Sequence, residues 1–342
     1  MKKTNILLLV LLLAALSLAL VGCGAGEEKD LKKSTDKVYT IKIASYFATE
    51  HPQIVAIRET FKPYVESETG GKIKVEIYEN SVLGGEEQFI DGVKNGTIEM
   101  AITGLLIAKD EPMLGVLEIP YIFRDYDHAK KVLESEIGNE LTEGFIAKMG
   151  FRSLGWTANG FRVVSSNKEI QKFEDFRGFR LRVPNADRFI KMAEALGANA
   201  LPMPMPEVFT ALEQKVIDGQ ENPYATLRAS GWWEAQKFVV DTRHIFGPNL
   251  YIINENFFQT LDSELQEIVK EGAKRAAEHQ WELLKNSEAL DIKFLEENGL
   301  KVIYPDAEFK QKLIDSQKPV HEWFFNMVPG SEQMVERIKA VQ

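Results

Sequence analysis

Between Gly178 and Pro223 the chain commits itself to a narrow set of structures. Phe179, Leu181 and Val183 alternate with Arg180 and Arg182, the two-residue period of a half-buried strand. With the apolar residues against a core, both guanidinium groups emerge on the opposite face. Pro184 then removes a backbone donor and ends the strand beside Arg182. A planar cation with five donors, held on a rigid element, suits bidentate capture of a carboxylate. An arginine paired with an internal Asp or Glu is the other reading of the same residues. The Asp218-Gly219 turn returns the chain, and Asn222-Pro223 fixes an amide able to brace such an arginine.

Upstream, Tyr39 to Ala44 alternates as a strand and His51 to Ser67 reads as a helix. Lys72 to Tyr78 alternates again, with Ile73, Val75 and Ile77 facing a core. A helix from about Gly85 to Lys94 and a strand from Ile98 to Thr103 follow. Strand, helix, strand, helix, strand predicts an α/β fold with a largely parallel, wound sheet. Sites in such sheets lie at the carboxyl ends of the strands, which brings Tyr46, Glu86 and Thr103 together. The stretch from Asp127 to Met149 reads as helical with a break around Gly138. Phe151 to Ser166 reads as two extended segments with a turn at Asn159-Gly160. Leu261 to Asn298 lacks proline and reads as one long helix, most flexible at Gly272.

Composition narrows the function. The 342 residues, 44% hydrophobic and 27% charged, are enough for two lobes. A net charge of −10 leaves no basic stripe for nucleic acid. The five histidines are scattered, and Cys23 is the only cysteine, so a metal site is not expected. No nucleophile elbow, Walker loop or dinucleotide fingerprint is present, and no cofactor is expected. At the N-terminus, Lys2 and Lys3 precede an apolar run from Ile6 to Leu20, a targeting segment rather than part of the fold. Leu20-Val21-Gly22-Cys23 resembles a bacterial lipobox. That resemblance implies a signal peptide over 1–22, a lipidated Cys23 anchoring the protein outside the cytoplasm, and a flexible tether over 23–37.

Arg-Val-Pro at 182–184, Ala-Leu-Gly-Ala at 195–198, Glu-Val-Phe-Thr-Ala-Leu at 207–212 and Asp-Gly-Gln-Glu-Asn-Pro at 218–223 carry a second resemblance. In this order and spacing they resemble the substrate-binding proteins of tripartite ATP-independent periplasmic (TRAP) transporters, DctP type. The likeness covers about residues 38–320. It implies a two-lobed periplasmic-binding-protein fold with a long helix spanning both lobes. Lobe I would take 38–160 with about 248–342, and lobe II 161–247. It implies no catalysis. A carboxylate ligand would bind Arg182, assisted by Arg162, with Asn222 and Asn185 at the site and Asn249 facing the ligand body. Glu86 and Tyr46 would line the first lobe, and Trp156 could stack on the ligand or lie in the core. The closed form would dock on the small and large TRAP membrane subunits.

Two departures from the family pattern bear on the ligand. Met205 stands between Pro204 and Pro206 where an aromatic residue is common, and a methionine accepts a different shape. Gly104-Leu105-Leu106-Ile107 carries none of the charges that sialic-acid binders place after Thr103. Glu86, Asn222 and Asn249 beside two arginines suit a sugar acid, a hexuronate first. Tyr46, Phe47, Trp156 and Met205 equally suit an apolar or aromatic oxo acid, and a C4-dicarboxylate is a further alternative. A lipid-anchored enzyme acting on acidic sugars, or a surface scaffold, accounts for fewer of these features.

Overall fold

Alternation becomes strand at the expected places. In a computed structural model describing residues 37–342, β1 (Tyr39–Ser45) and β2 (Ile73–Tyr78) run parallel, with Ile41 opposite Val75. β3 (Met100–Thr103) joins the other side of β1, also parallel. The expected signal peptide, Cys23 and the tether up to residue 36 lie outside the described residues. The helical run 52–68 is capped by the His51 ring, which accepts from Gln53 N at 3.2 Å, and it widens into a π turn at Ile57–Phe61. The Glu86–Asn95 helix ends at Gly96 in the left-handed conformation.

Two expectations are corrected next. The helical stretch after Asp125 breaks at Ser135 and again near Gly144, not at Gly138, because the Ser135 side chain caps a new helix at Ile137 N. Gly138 lies inside that helix, where a Cβ would meet the Leu133 carbonyl oxygen at 1.9 Å. Nor does the chain turn at Asn159-Gly160. β4 (Phe151–Ser166) is one 16-residue strand, and the glycines, at φ 149° for Gly155 and 118° for Gly160, accompany bulges. A bulge inserts a residue and bends a strand without reversing it.

β5 (Arg180–Val183) pairs in parallel with β6 (Asn199–Pro202) and β7 (Gly219–Asn222). β8 (Phe238–Asn254) runs antiparallel to both β3 and β4, and β9 (Lys301–Ile303) lies parallel to it. The order is β2-β1-β3-β8-β4-β7-β5-β6, with β9 on β8. The sheet is therefore mixed. Each half is parallel, and the two halves are joined by antiparallel β8 and β4, whose alternation says nothing about the direction of their partners.

Each half has its own pair of cores. Ile41, Val75 and Ile102 pack beneath the first half, and Phe89, Val93 and Leu117 above it. Leu181, Val183 and Met192 lie on one face of the second half, and Val208, Leu212 and Leu227 on the other. The expected long helix is Ser263–Glu297, 35 residues, or about 52 Å at 1.5 Å per residue. Val269 and Ala273 bury against the first half and Leu295 against the second. Gly272 is a close contact within it, since a Cβ there would come within 2.8 Å of Val65. Gly219 is also a close approach. It opens β7 opposite Ser166, and a Cβ would meet Ser165 O at 2.0 Å and the Phe179 ring at 2.7 Å. Gly219→Ala must push β7 from β4, and we expect a loss of about 1–3 kcal/mol in urea denaturation. An unchanged midpoint would show that the ladder yields freely.

Candidate ligand-binding site

Where the two halves meet, β4, β5, β7 and β8 turn polar side chains into one cleft. Its open mouth included, the cleft encloses about 780 Å³ of space. Arg162, Arg182, Asn222, Asn185, Asn249, Glu86, Met205 and Tyr46 all line it. Trp156 does not. Its indole is buried in the first-half core, where its N–H finds a partner in Gly138 O at 3.2 Å. Phe47 is likewise wholly buried, stacked on His51.

Three arginines reach the cleft, and their partners differ. Arg162 on β4 forks onto Glu221: Nη2 donates to Oε1 at 2.7 Å and to the backbone oxygen at 2.6 Å, and Nε donates to Oε2. Burial pulls this guanidinium down, and the Glu221 carboxylate more than offsets it. His244 Nε2 also lies 3.3 Å from Glu221 Oε2. Arg188 pairs with Glu118. Arg182 has no carboxylate partner among the described residues. Its Nε and Nη2 both donate to the Met203 carbonyl, at 2.9 and 2.5 Å, while only 3% of the residue is exposed. Burial lowers its pKa to about 10, with Glu221 opposing and Arg162 adding to the fall. A desolvated cation bonded only to a neutral carbonyl favours an anion. Arg180, two residues earlier on β5, is neutralised by Asp218 at 2.7 Å.

The opposite wall is polar and hydroxylated. Thr103 Oγ1 donates to Glu86 Oε1 at 2.9 Å, and Leu106 N approaches the same oxygen at 3.4 Å. Asn249 Nδ2 donates to Tyr46 OH and to Thr103 O, both at 3.0 Å. The carboxyl ends of the parallel strands thus bring Tyr46, Glu86 and Thr103 together as expected for such a sheet. Desolvation, assisted by Glu118, raises the Glu86 carboxyl to about 7 against the Thr103 hydrogen bond. Asn222 Nδ2 donates to Gln220 Oε1 at 2.8 Å, and its Oδ1 faces Asn159 Nδ2 at 3.4 Å. Asn185, at the rim, donates to Glu87 Oε1 at 3.3 Å.

Sequence reasoning missed Arg188, Glu118, Phe189 and Asn159, which also line the cleft. Arg188 had a signal, since it shares a helical face with apolar Met192 and Ala195. Asn159 was hidden by the turn assigned to it. Its Oδ1 accepts from Thr226 Oγ1 at 2.6 Å, a contact between residues far apart in the chain.

Residues 43–327 match the family model described as bacterial extracellular solute-binding protein, family 7, DctP. The chain belongs to that family. This family 7 protein is therefore the solute-binding component of a TRAP system, which works with membrane subunits. It is similar to a TRAP periplasmic solute-binding protein from Haemophilus influenzae with bound L-gulonate, at 41% identity and TM-score 0.86, covering 89% of this chain and 100% of that one. The sugar acid binding protein of Advenella mimigardefordensis in complex with galactonate has 29% identity and TM-score 0.86, over 89% and 98% of the two chains. The 2,3-diketo-L-gulonate-binding periplasmic protein of Escherichia coli is 31% identical over 82% of this chain and 86% of that one. The two-lobed fold with its long helix is that of these proteins. Among the described residues no helix is long and apolar enough to cross a membrane.

Glu86 gives this family 7 protein a testable pH response. Its folded pKa lies above the ordinary carboxylate value, so its stability contribution is whole below that range and is lost as pH rises through about 7. Buried His51, whose pKa is lowered to about 3, pulls the whole-chain slope the other way, so the test is the difference: the melting temperature of the ligand-free wild type relative to Glu86→Gln should fall between about pH 5 and about pH 8. A slope unchanged by the substitution would mean the carboxyl is solvated.

Proposed function

We propose that this protein captures a sugar acid bearing a single carboxylate, a hexuronate or an aldonate, and delivers it to its TRAP membrane subunits. One observation carries the reading: of the arginines in the cleft, Arg182 alone lacks a carboxylate partner among the described residues. The ligand carboxylate takes the open side of its guanidinium. Arg162, held by Glu221, offers directional hydrogen bonds and little free charge, and Asn222 fixes the carboxylate's second oxygen. Hydroxyls of the sugar chain meet Asn249, Tyr46 and Glu86, and Met205 and Asn185 close the second-lobe side. The bound L-gulonate, galactonate and D-glucuronate of similar proteins support this chemistry.

A C4-dicarboxylate fits less well. Its second carboxylate would meet no unpaired cation, since Arg162 and Arg188 already hold Glu221 and Glu118, and an unpaired buried charge is costly. We further propose that lobe I (38–160 with about 248–342, less the 301–313 stretch that pairs and packs with the second half) and lobe II (161–247) close on the ligand by bending where β4 and β8 shift register near Gly160 and Gly247. Lipidation of Cys23 and the tether over 23–37 keep the protein outside the cytoplasm and on the membrane.

Thermal-shift titration tests the ligand class. At 100 times its dissociation constant a ligand adds about 2.7 kcal/mol of stability. We expect uronates and aldonates to shift the midpoint, with dicarboxylates weaker by about tenfold or more. Arg182→Ala should cost about 2–5 kcal/mol of binding without loss of fold, and wild-type affinity in that variant would overturn the assignment. Cys23→Ser should move the protein from the membrane fraction to the soluble fraction, and a variant that stays with the membrane would refute the anchor.

A further inference from the structure

Arg188 belongs to the second half of the molecule and reaches into the first. It lies in the first turn of the Asp187–Ala195 helix, whose Phe189, Met192 and Ala193 are part of the second-half core. Its Nε donates to Glu118 Oε2 at 2.6 Å, and Nη2 donates to the same oxygen and to Leu105 O at 2.8 Å. Glu118 ends the 3-10 segment Pro112–Glu118, whose Leu114, Val116 and Leu117 are buried in the first-half core. Arg188 is 8% exposed and Glu118 5%, so both charges of a pair bridging two cores are desolvated. The pair also forms part of the cleft wall.

An ion pair whose members come from different lobes forms only when the lobes meet. Apart, each group is hydrated, and together each removes the other's need for water. Geometry therefore matters more than charge: a closure misplaced by an ångström strands two buried ions. The bond to Leu105 O links the pair to ligand recognition. Leu105 lies between Gly104, where a Cβ would come within 3.0 Å of Glu86 Oε1, and Leu106, whose N–H approaches that same oxygen. The segment that positions Glu86 is thus held from across the cleft by Arg188. At the rim, Asn185 and Glu87 add a weaker crossing contact at 3.3 Å.

We propose that Arg188 and Glu118 form a cross-cleft latch: Arg188 is a positioning residue that sets how long the ligand is held, while Arg182 provides the anchor. The inference rests on the sugar-acid reading for its choice of ligand, but the latch itself can be read without one. The latch stabilises the closed form with or without ligand, and capture proceeds through the open form, so its loss accelerates release and leaves association nearly unchanged.

Stopped-flow fluorescence with L-gulonate and D-glucuronate tests this on wild type, Arg188→Gln, Glu118→Gln, the double variant and Arg182→Gln. Each single latch variant is expected to raise the dissociation rate about tenfold or more with little change in association. The double variant should lose no more than the worse single one, since one interaction is removed in all three. Glu118→Gln binding as tightly as wild type, or more tightly, would overturn the latch, because it would show Arg188 freed to hold the carboxylate itself. Additive losses would overturn it too. A second readout needs no ligand. Spin labels at exposed Val82 and Val216, on opposite lobes, report their separation in the full chain carrying Cys23→Ser. Both latch variants should deplete the short-distance population, and identical distributions would sink the proposal. Failure of both acids to bind wild type, with the distance shift intact, would remove the ligand reading and leave the latch standing.

Discussion

A buried guanidinium without a carboxylate is the constraint on which the second half of this molecule depends. Arg182 gives up its water, and the Met203 carbonyl returns two hydrogen bonds but no charge. Such a group persists only on a stiff support. β5 is held between β6 and β7, and Met203 N donates to Val183 O at 3.0 Å, closing the strand end on itself. Pro202 and Pro204 flank Met203 and restrict the backbone that aims its carbonyl. The Pro-Met-Pro-Met-Pro run is thus a bracket for the arginine as well as a cleft wall. The neighbouring cation must then be silenced, which Glu221 does, itself held below the ordinary range by Arg162 and His244 against its own burial.

The two long strands explain how so many polar groups reach one place. β4 carries Asn159 and Arg162, and β8 carries Gly247 and Asn249, all at the stretch where their register shifts. A regular ladder would alternate these side chains between faces, whereas a bulge re-aims them. The closure proposed above would use the same irregularity as its hinge, so position and movement would share one cause.

How much could be read in advance divides along physical lines. Short-range pattern was legible: the strands at Tyr39 and Ile73, the helix at Glu86 and the 35-residue helix each follow from periodicity and caps. So was the exposure of Arg182 to a cleft, because alternation within β5 is local. Strand direction was not legible, since β8 owes its antiparallel pairing to a partner nearly ninety residues upstream in β4. Asn159-Gly160 has the composition of a turn, and only its buried contacts with His51 and Thr226 make it part of a continuous, bulged strand. Trp156 and Arg188 went opposite ways for a similar reason. The aromatic found a core, while the charge on an apolar helix face found a partner across the cleft, and neither partner is near in sequence.

Charge neutrality then connects capture with closure. Every cation drawn into the cleft but one has its own carboxylate: Arg162 has Glu221 and Arg188 has Glu118. The Glu86 carboxyl meets the same demand by tending toward its neutral form. Closing over an anion completes the set at Arg182, and closing over water leaves that guanidinium desolvated and unmatched. A ligand moves a two-state equilibrium only by its differential affinity for the two states. One buried charge pair that exists in the closed form alone is enough, since about 3 kcal/mol corresponds to a shift of about 150-fold. A neutral sugar of the same shape cannot provide it, however many hydroxyls it offers to Asn249 and Tyr46. On the proposed reading, the carboxylate is what the cleft selects, and the hydroxyl wall decides among the acids that carry one.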